Sequence, residues 1–296
     1  MDDINLSNIT IDKLSLPLLS AKGVEADILR LDKIHPYVAG NKWFKLRYYL
    51  QEAKRQEKRT IVTYGGAWSN HIIATAAICN LNGLNSIGII RGEEAACLSP
   101  TLSKAKEMGM QFFFSSREKY KEGKIPGELN IKECYLIPEG GYGIKGADGA
   151  STILDYCKKE AYSHICCAAG TGTMTAGLIK NASSSTLVVS ISVLKNNFDL
   201  EENIKLLTGD KKTIFKIIHD YHFGGYAKHK PDLIKFMNEF YLQTNIPSDF
   251  VYTGKLLFAV NNLINTNFFA PGSRLLLIHS GGLQGNASLS KGTLIF

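Results

Sequence analysis

Short apolar runs rich in β-branched residues alternate along this chain with stretches whose apolar positions recur at helical spacing. The pattern predicts strands at 60–64, 86–90, 111–114, 134–138, 163–168, 186–194 and 274–278. Helices are predicted from 69 towards 80 and at 99–108, 232–242 and 254–263, with Ser99-Pro100 as cap and first position of the second. Several strands end in small-residue turns: Gly65-Gly66, Glu139-Gly140-Gly141, Gly170-Thr171-Gly172-Thr173 and His279-Ser280-Gly281-Gly282. Such alternation predicts an α/β fold with mostly parallel sheets flanked by helices. Each half carries a strand–glycine-turn–helix unit, which predicts two domains with a cleft between them.

Composition agrees with this picture. The 296 residues are ample for two cores, and 45% hydrophobic with 21% charged residues is the balance of a globular enzyme. The formal net charge of +7 is spread along the chain. Its densest cluster, Lys54-Arg55-Gln56-Glu57-Lys58-Arg59, contains an acid and reads as a solvated helix end. Zinc-finger and RNP-type spacings are absent, which argues against a nucleic-acid binder. The 6 cysteines form no CxxC pair and read as buried, reduced thiols of a cytoplasmic protein. The start, Met1-Asp2-Asp3-Ile4-Asn5, is acidic, unlike a signal peptide, and no apolar run reaches the ~18–20 residues of a membrane span.

Candidate chemistry gathers at five places. In Gly40-Asn41-Lys42-Trp43-Phe44-Lys45-Leu46, two lysines stand one helical turn apart behind a Gly-Asn turn. One amine suits a Schiff base, and the other is placed to meet an anion. The loop Gly170-Thr171-Gly172-Thr173-Met174-Thr175 can turn backbone N–H groups and hydroxyls inward ahead of a helix, an anion cradle. A Walker loop fails there, since no Gly-Lys-Ser/Thr follows. A dinucleotide fingerprint is weak, because Thr175 takes the third glycine position and Lys195-Asn196-Asn197 follows the next strand. The open readings are a mononucleotide-sized cofactor phosphate or a tight turn with no ligand. Ser69-Asn70-His71 starts a helix whose N–H groups suit a carboxylate, with Ser69 as cap and His71 either ligand or structural histidine. Tyr252-Thr253-Gly254-Lys255 and Phe223-Gly224-Gly225-Tyr226 supply tyrosines that composition alone leaves as packing or function. The 7 histidines have no metal-ligand spacing, so no metal site is expected.

Taken in order, these motifs resemble the family of 1-aminocyclopropane-1-carboxylate deaminases and D-cysteine desulfhydrases, within the tryptophan synthase β-like (fold type II) enzymes that use pyridoxal 5'-phosphate (PLP). The resemblance runs from about Leu31 to Gly282. It rests on Gly40-Asn41-Lys42 with Lys45-Leu46, Gly65-Gly66-Ala67-Trp68-Ser69-Asn70-His71, the loop from Gly170 to Leu178, Val251-Tyr252-Thr253-Gly254-Lys255 and His279-Ser280-Gly281-Gly282. It implies a large PLP-binding domain of residues 1–46 and 153–296, a small domain of 47–152, and a cytoplasmic homodimer acting on an amino acid. Lys42 would carry the cofactor. Lys45 and Gly170, Thr171, Gly172, Thr173, Met174 and Thr175 would hold its phosphate, and Asn70 its 3-oxygen. Ser69, Asn70 and His71 would take the substrate carboxylate, and Tyr226 and Tyr252 would face the substrate. Lys42, Ser69, Tyr226 and Tyr252 are the implied catalytic residues, and Thr253 would meet the pyridine nitrogen. In this resemblance the cyclopropane-opening members carry glutamate where this chain has Thr253, and desulfhydrase-like members carry threonine. Thr253 therefore favours β-elimination from an amino acid such as D-cysteine, giving a keto acid, ammonia and sulfide. The alternatives are a cyclopropane carboxylate deaminase and a non-catalytic PLP-binding protein. Trp43-Phe44 and the surroundings of Tyr226 depart from the family pattern on the substrate side.

Overall fold

The computed structural model describes residues 4–38, 40–127, 129–209 and 214–296. Its strands are β1 (Thr10–Lys13), β2 (Glu25–Arg30), β3 (Thr60–Gly65), β4 (Asn85–Arg91), β5 (Gln111–Ser115), β6 (Cys134–Ile137), β7 (His164–Ala169), β8 (Leu187–Ser192), β9 (Phe215–Ile218) and β10 (Arg274–His279). The helices are α1 (Pro17–Lys22), α2 (Asn41–Arg55), α3 (Asn70–Leu81), α4 (Pro100–Glu107), α5 (Arg117–Lys121), α6 (Ile144–Ser151), α7 (Thr173–Asn181), α8 (Leu200–Thr208), α9 (Pro231–Thr244) and α10 (Thr253–Asn265).

Two sheets form. One has six strands in the order β1-β2-β10-β7-β8-β9, and the other has four, β5-β4-β3-β6. Among the described strand pairs only β1–β2 is antiparallel, apart from an isolated antiparallel bridge between Gly92 and Ser115. The fold is thus α/β with mostly parallel sheets flanked by helices. The predicted strands all appear. β1, β2 and β9 appear as well, and β2 lies inside the large sheet although its sequence, Glu25-Ala26-Asp27-Ile28-Leu29-Arg30, carries three charges.

Both faces of the large sheet are covered. Leu29, Ile165, Cys167, Val188 and Leu276 pack under α6, α7 and α8, while Ile28, Cys166, Val189, Leu275 and Leu277 pack under α1 and α10. Adjacent Cys166 and Cys167 therefore serve opposite cores, as strand alternation requires. The cysteines are all free, but not all are buried as expected: Cys97 is exposed and Cys134 and Cys157 are half-buried. The first lies in a surface loop, and the other two pack at the margins of hydrophobic clusters.

Helix α3 is enclosed on every side, with all residues from His71 to Cys79 buried. A helix apolar all round has no solvent face and must sit inside the molecule. Its start is held by Ser69, whose Oγ accepts from the backbone N–H groups of His71 (3.2 Å) and Ile72 (3.3 Å). Helices α2, α6 and α7 meet through small residues. A Cβ at Gly149 would overlap the carbonyl oxygen of Phe44, and one at Gly177 would lie 2.6 Å from both Ala147 O and Ala150 Cβ. These close crossings tie the two-lysine helix to the helix behind the glycine–threonine loop. Among the described residues no helix is long and apolar enough to cross a membrane.

Candidate active site

Loops at the carboxyl ends of parallel strands from both sheets converge on one cavity of about 310 Å³. Such ends are where open α/β sheets bind ligands. Strand β3 delivers Gly66, Ser69 and the start of α3; β6 delivers Glu139 and Gly140; β7 delivers 170–172; β10 delivers 280–282. Gly40 seats α2 against the last of these. Its φ of 63° with ψ of −142° suits glycine, and a Cβ there would overlap Ser280 O. Asn41 N also donates to Ser280 O at 3.3 Å. Lys42 is thereby fixed beside the turn after β10.

Lys42 and Lys45 both line the cavity. Burial lowers Lys42 from 10.5 to about 8, with the Asp249 carboxylate opposing the shift. Burial, and then the neighbouring Lys42 charge, push Lys45 well below the ordinary lysine value. An anion between these amines and the loop at 170–172 would relieve both effects. That loop ends at Gly172, whose φ of 80° turns the chain into α7; a Cβ there would lie 2.7 Å from Ile204 Cγ1. Asn197 Nδ2 donates to Gly170 O at 3.0 Å and holds the loop from outside.

Asn70 and His71 line this cavity, and each carries a buried unpartnered atom. Asn70 Oδ1 and His71 Nδ1 are buried without a hydrogen bond. The His71 tautomer follows from its neighbours. Thr63 Oγ1 donates to Ile137 O at 2.8 Å, so it accepts from His71 Nε2 at 2.8 Å. Nε2 carries the proton and Nδ1 keeps a bare lone pair. Burial and the charges of Lys42 and Lys45 hold His71 well below its ordinary value, so the ring is neutral. The unpartnered atom of its ring is an acceptor, not a donor.

Tyr226 and Tyr252 line the opposite wall, edge to face with ring centres 6.3 Å apart. Burial and the nearby Asp249 raise Tyr226, and burial and Tyr226 raise Tyr252, so both hydroxyls keep their protons. Of the residues expected in the site, Ser69, Gly170, Thr171, Gly172, Met174 and Thr175 also line the cavity. Thr173 and Thr253 do not. Thr173 is fully buried with Oγ1 2.9 Å from Thr171 Oγ1.

The Thr253 hydroxyl is bound at both ends: it donates to Asp249 Oδ1 at 2.6 Å and accepts from Asp249 N at 2.8 Å. Asp249 is the residue that sequence reasoning missed. It is fully buried, and its carboxylate also accepts from the backbone N–H groups of Val251 (3.0 Å), Tyr252 (2.8 Å) and Thr253 (2.9 Å). Burial raises its pKa while these bonds pull it back. An acid whose side chain bonds the N–H two residues on is an Asx-turn signal visible in the sequence. Its nearness to the cavity is not, because it depends on Gly282, where a Cβ would lie 3.5 Å from Asp249 Cγ and 2.7 Å from Asn70 Nδ2. Arg91 and Glu139 complete the rim, the Arg91 guanidinium lying 5.7 Å over the Tyr120 ring.

Two parallel sheets with a lysine-lined cleft between them define the tryptophan synthase β-like class of α/β protein. No family model matches the chain. It is 30% identical over 270 residues to a putative 1-aminocyclopropane-1-carboxylate deaminase of Thermotoga maritima, covering 83% of this chain and 85% of that one. It is 28% identical over 307 residues to the bifunctional D-cysteine desulfhydrase/1-aminocyclopropane-1-carboxylate deaminase, mitochondrial, of Arabidopsis thaliana, covering 93% and 76%. A crystal structure of an ACC deaminase homologue superposes with a TM-score of 0.81 at 27% identity, over 94% of this chain and 90% of that chain. The chain belongs to the family of 1-aminocyclopropane-1-carboxylate deaminases and D-cysteine desulfhydrases.

Proposed function

We propose that this protein is a PLP-dependent lyase that removes ammonia and a β-substituent from an amino acid such as D-cysteine. The observation that carries the reading is the cavity itself. It combines a half-buried amine lowered to about 8, a second, buried amine, a glycine–threonine loop at a helix start and unpartnered acceptors on Asn70 and His71. This donor set fits a phosphorylated aldehyde. Lys42 Nζ would hold the aldehyde carbon, and Lys45 with residues 170–175 would hold the phosphate. The Asn70 amide would meet the ring substituents. When bound, PLP supplies an electron sink for charge left at the substrate α-carbon.

The chain's own residues do the rest. The Ser69 hydroxyl proton and the positive end of α3, whose first N–H groups Ser69 Oγ already caps, receive the substrate carboxylate. His71 Nδ1, a bare acceptor, does not bind the carboxylate. Near neutral pH an amine at about 8 is partly unprotonated, so Lys42 Nζ takes the α-proton. Loss of thiolate from the β-carbon and hydrolysis of the released enamine give pyruvate, ammonia and sulfide from D-cysteine and water. Tyr226 and Tyr252, both protonated, close the substrate side and can deliver a proton to the leaving sulfur. Thr253 acts from behind the wall, fixed by Asp249. The same reading assigns residues 1–46 and 153–296 to a large domain, 47–152 to a small one, and the protein to a cytoplasmic homodimer.

The relatives' names favour a second substrate, 1-aminocyclopropane-1-carboxylate. Sulfide release from D-cysteine and 2-oxobutyrate release from the cyclopropane acid separate the two. Purified protein should absorb near the cofactor's visible band, and the band should change when the right amino acid is added from a panel of D and L forms. A coloured protein whose spectrum no amino acid changes would make it a non-catalytic PLP binder. A protein that takes up no PLP would overturn the reading altogether.

A further inference from the structure

Lys255 is the second lysine that burial lowers to about 8, and the reaction leaves it without a task. It lies in the first turn of α10 and is fully buried. Its ammonium donates to two backbone carbonyls, His222 O at 2.9 Å and Gly225 O at 2.7 Å. Each of those oxygens already accepts within the loop: Gly225 N donates to His222 O at 2.9 Å, and Lys228 N to Gly225 O at 3.2 Å.

The loop has an uncommon shape. Phe223 (φ 53°), Gly224 (99°), Gly225 (119°) and Ala227 (51°) all lie at positive φ. For Phe223 and Ala227 that conformation costs about 1 kcal/mol or more each and persists only where neighbours hold it. Phe223 is held edge to face against Phe258, with ring centres 5.0 Å apart. The turning chain points two carbonyl oxygens at one spot, where their negative ends would repel without a cation. The next side chain after this pair of carbonyls is Tyr226, which lines the cavity and meets Tyr252. Tyr252 precedes the same helix that carries Lys255.

We infer that Lys255 is a positioning residue, an internal cation that locks residues 222–226 to α10 and so sets Tyr226 against Tyr252 on the substrate side. This rests on the proposed function only in taking that wall as the substrate side; the locking itself needs no cofactor. Removing the ammonium should leave a small cation hole of carbonyl oxygens, open to ammonium or a primary alkylamine.

Two readouts test it. In the cofactor-free protein, Lys255→Ala should speed tryptic cleavage after Lys228, an exposed site beside the loop, by about tenfold or more, if the lock is worth one ordinary charged hydrogen bond. Ethylammonium chloride should slow that cleavage again, and tetramethylammonium chloride at equal ionic strength should not. In the PLP-loaded protein, the variant should keep the wild-type cofactor spectrum and raise KM for the amino acid, with ethylammonium restoring it. Lys255→Gln keeps an N–H donor without the charge and should fall between wild type and Lys255→Ala. It carries the test if the alanine variant does not fold. Cleavage and KM equal to wild type in either folded variant would overturn the inference, as would equal rescue by both salts. Loss of turnover from all forms with the cleavage pattern intact would sink the proposed function and leave the lock standing.

Discussion

Replacing Lys42 with methionine should stabilise the cofactor-free protein at neutral pH. Lys42 is half-buried in the cavity wall, and desolvation there lowers its amine from 10.5 to about 8. That gap of about 2.5, at about 1.4 kcal/mol each, amounts to about 3.5 kcal/mol as an upper bound. The unfolded chain keeps the ordinary value, so between about 8 and 10.5 it binds more protons than the folded chain does. The cost of holding Lys42 is therefore fully present below about 8 and fades as pH rises to 10.5. Methionine has similar length and no charge, so Lys42→Met removes the cost without opening a cavity. Urea unfolding of both cofactor-free proteins at pH 7 and near pH 10.5 measures it. The variant should be more stable by roughly 2–3 kcal/mol at the lower pH, with most of that gain gone at the higher. Saturation with PLP should stabilise wild type and leave the variant nearly unaffected. A variant less stable than wild type at pH 7, or a gain independent of pH, would refute the reasoning.

Gly149→Ala should move α2 away from α6, because the added Cβ would overlap Phe44 O, with Lys45 Cα 3.6 Å away. Overpacking of this kind costs about 1–3 kcal/mol. Urea midpoints should fall and PLP affinity should weaken together; an unchanged affinity would contradict the coupling. Ser69→Ala removes the cap of α3, worth about 1 kcal/mol, and its hydroxyl. KM for the amino acid should rise with PLP affinity little altered, as steady-state kinetics and titration would show. Asp249→Asn turns an amide nitrogen towards backbone donors that the carboxylate now serves, stranding them at about 1–3 kcal/mol each. Its thermal midpoint should fall, and a midpoint at the wild-type value would contradict the buried, four-bonded carboxylate.

What the sequence discloses here follows from range of interaction. Strands such as Thr60–Gly65 and His164–Ala169 are covered on both faces, so their apolar runs are read directly. Strand β2 is opaque because its charges are satisfied from afar. Asp27 accepts from the hydroxyl of Tyr162, and Arg30 pairs with Asp12 besides its near neighbour Asp32. Nothing local announces Tyr162 or Asp12. In the cavity, Lys42, Ser69-Asn70-His71 and 170–175 are short motifs with local mechanisms, a turn, a cap and a helix start. Thr173 and Thr253 match by type, yet their hydroxyls are spent inside the wall, which only packing decides. The His71 tautomer depends on a hydroxyl on β3 and a carbonyl at the end of β6, and Asp249 on a missing Cβ at 282. Such features belong to the assembled sheets.

Borohydride reduction of the PLP-loaded protein, followed by peptide mapping, tests the central assignment most directly. The reduced cofactor should be found on the peptide containing Lys42, and Lys42→Ala should take up none covalently. A label on Lys45, Lys255 or any other amine, or a wild-type protein that carries no label, would contradict it.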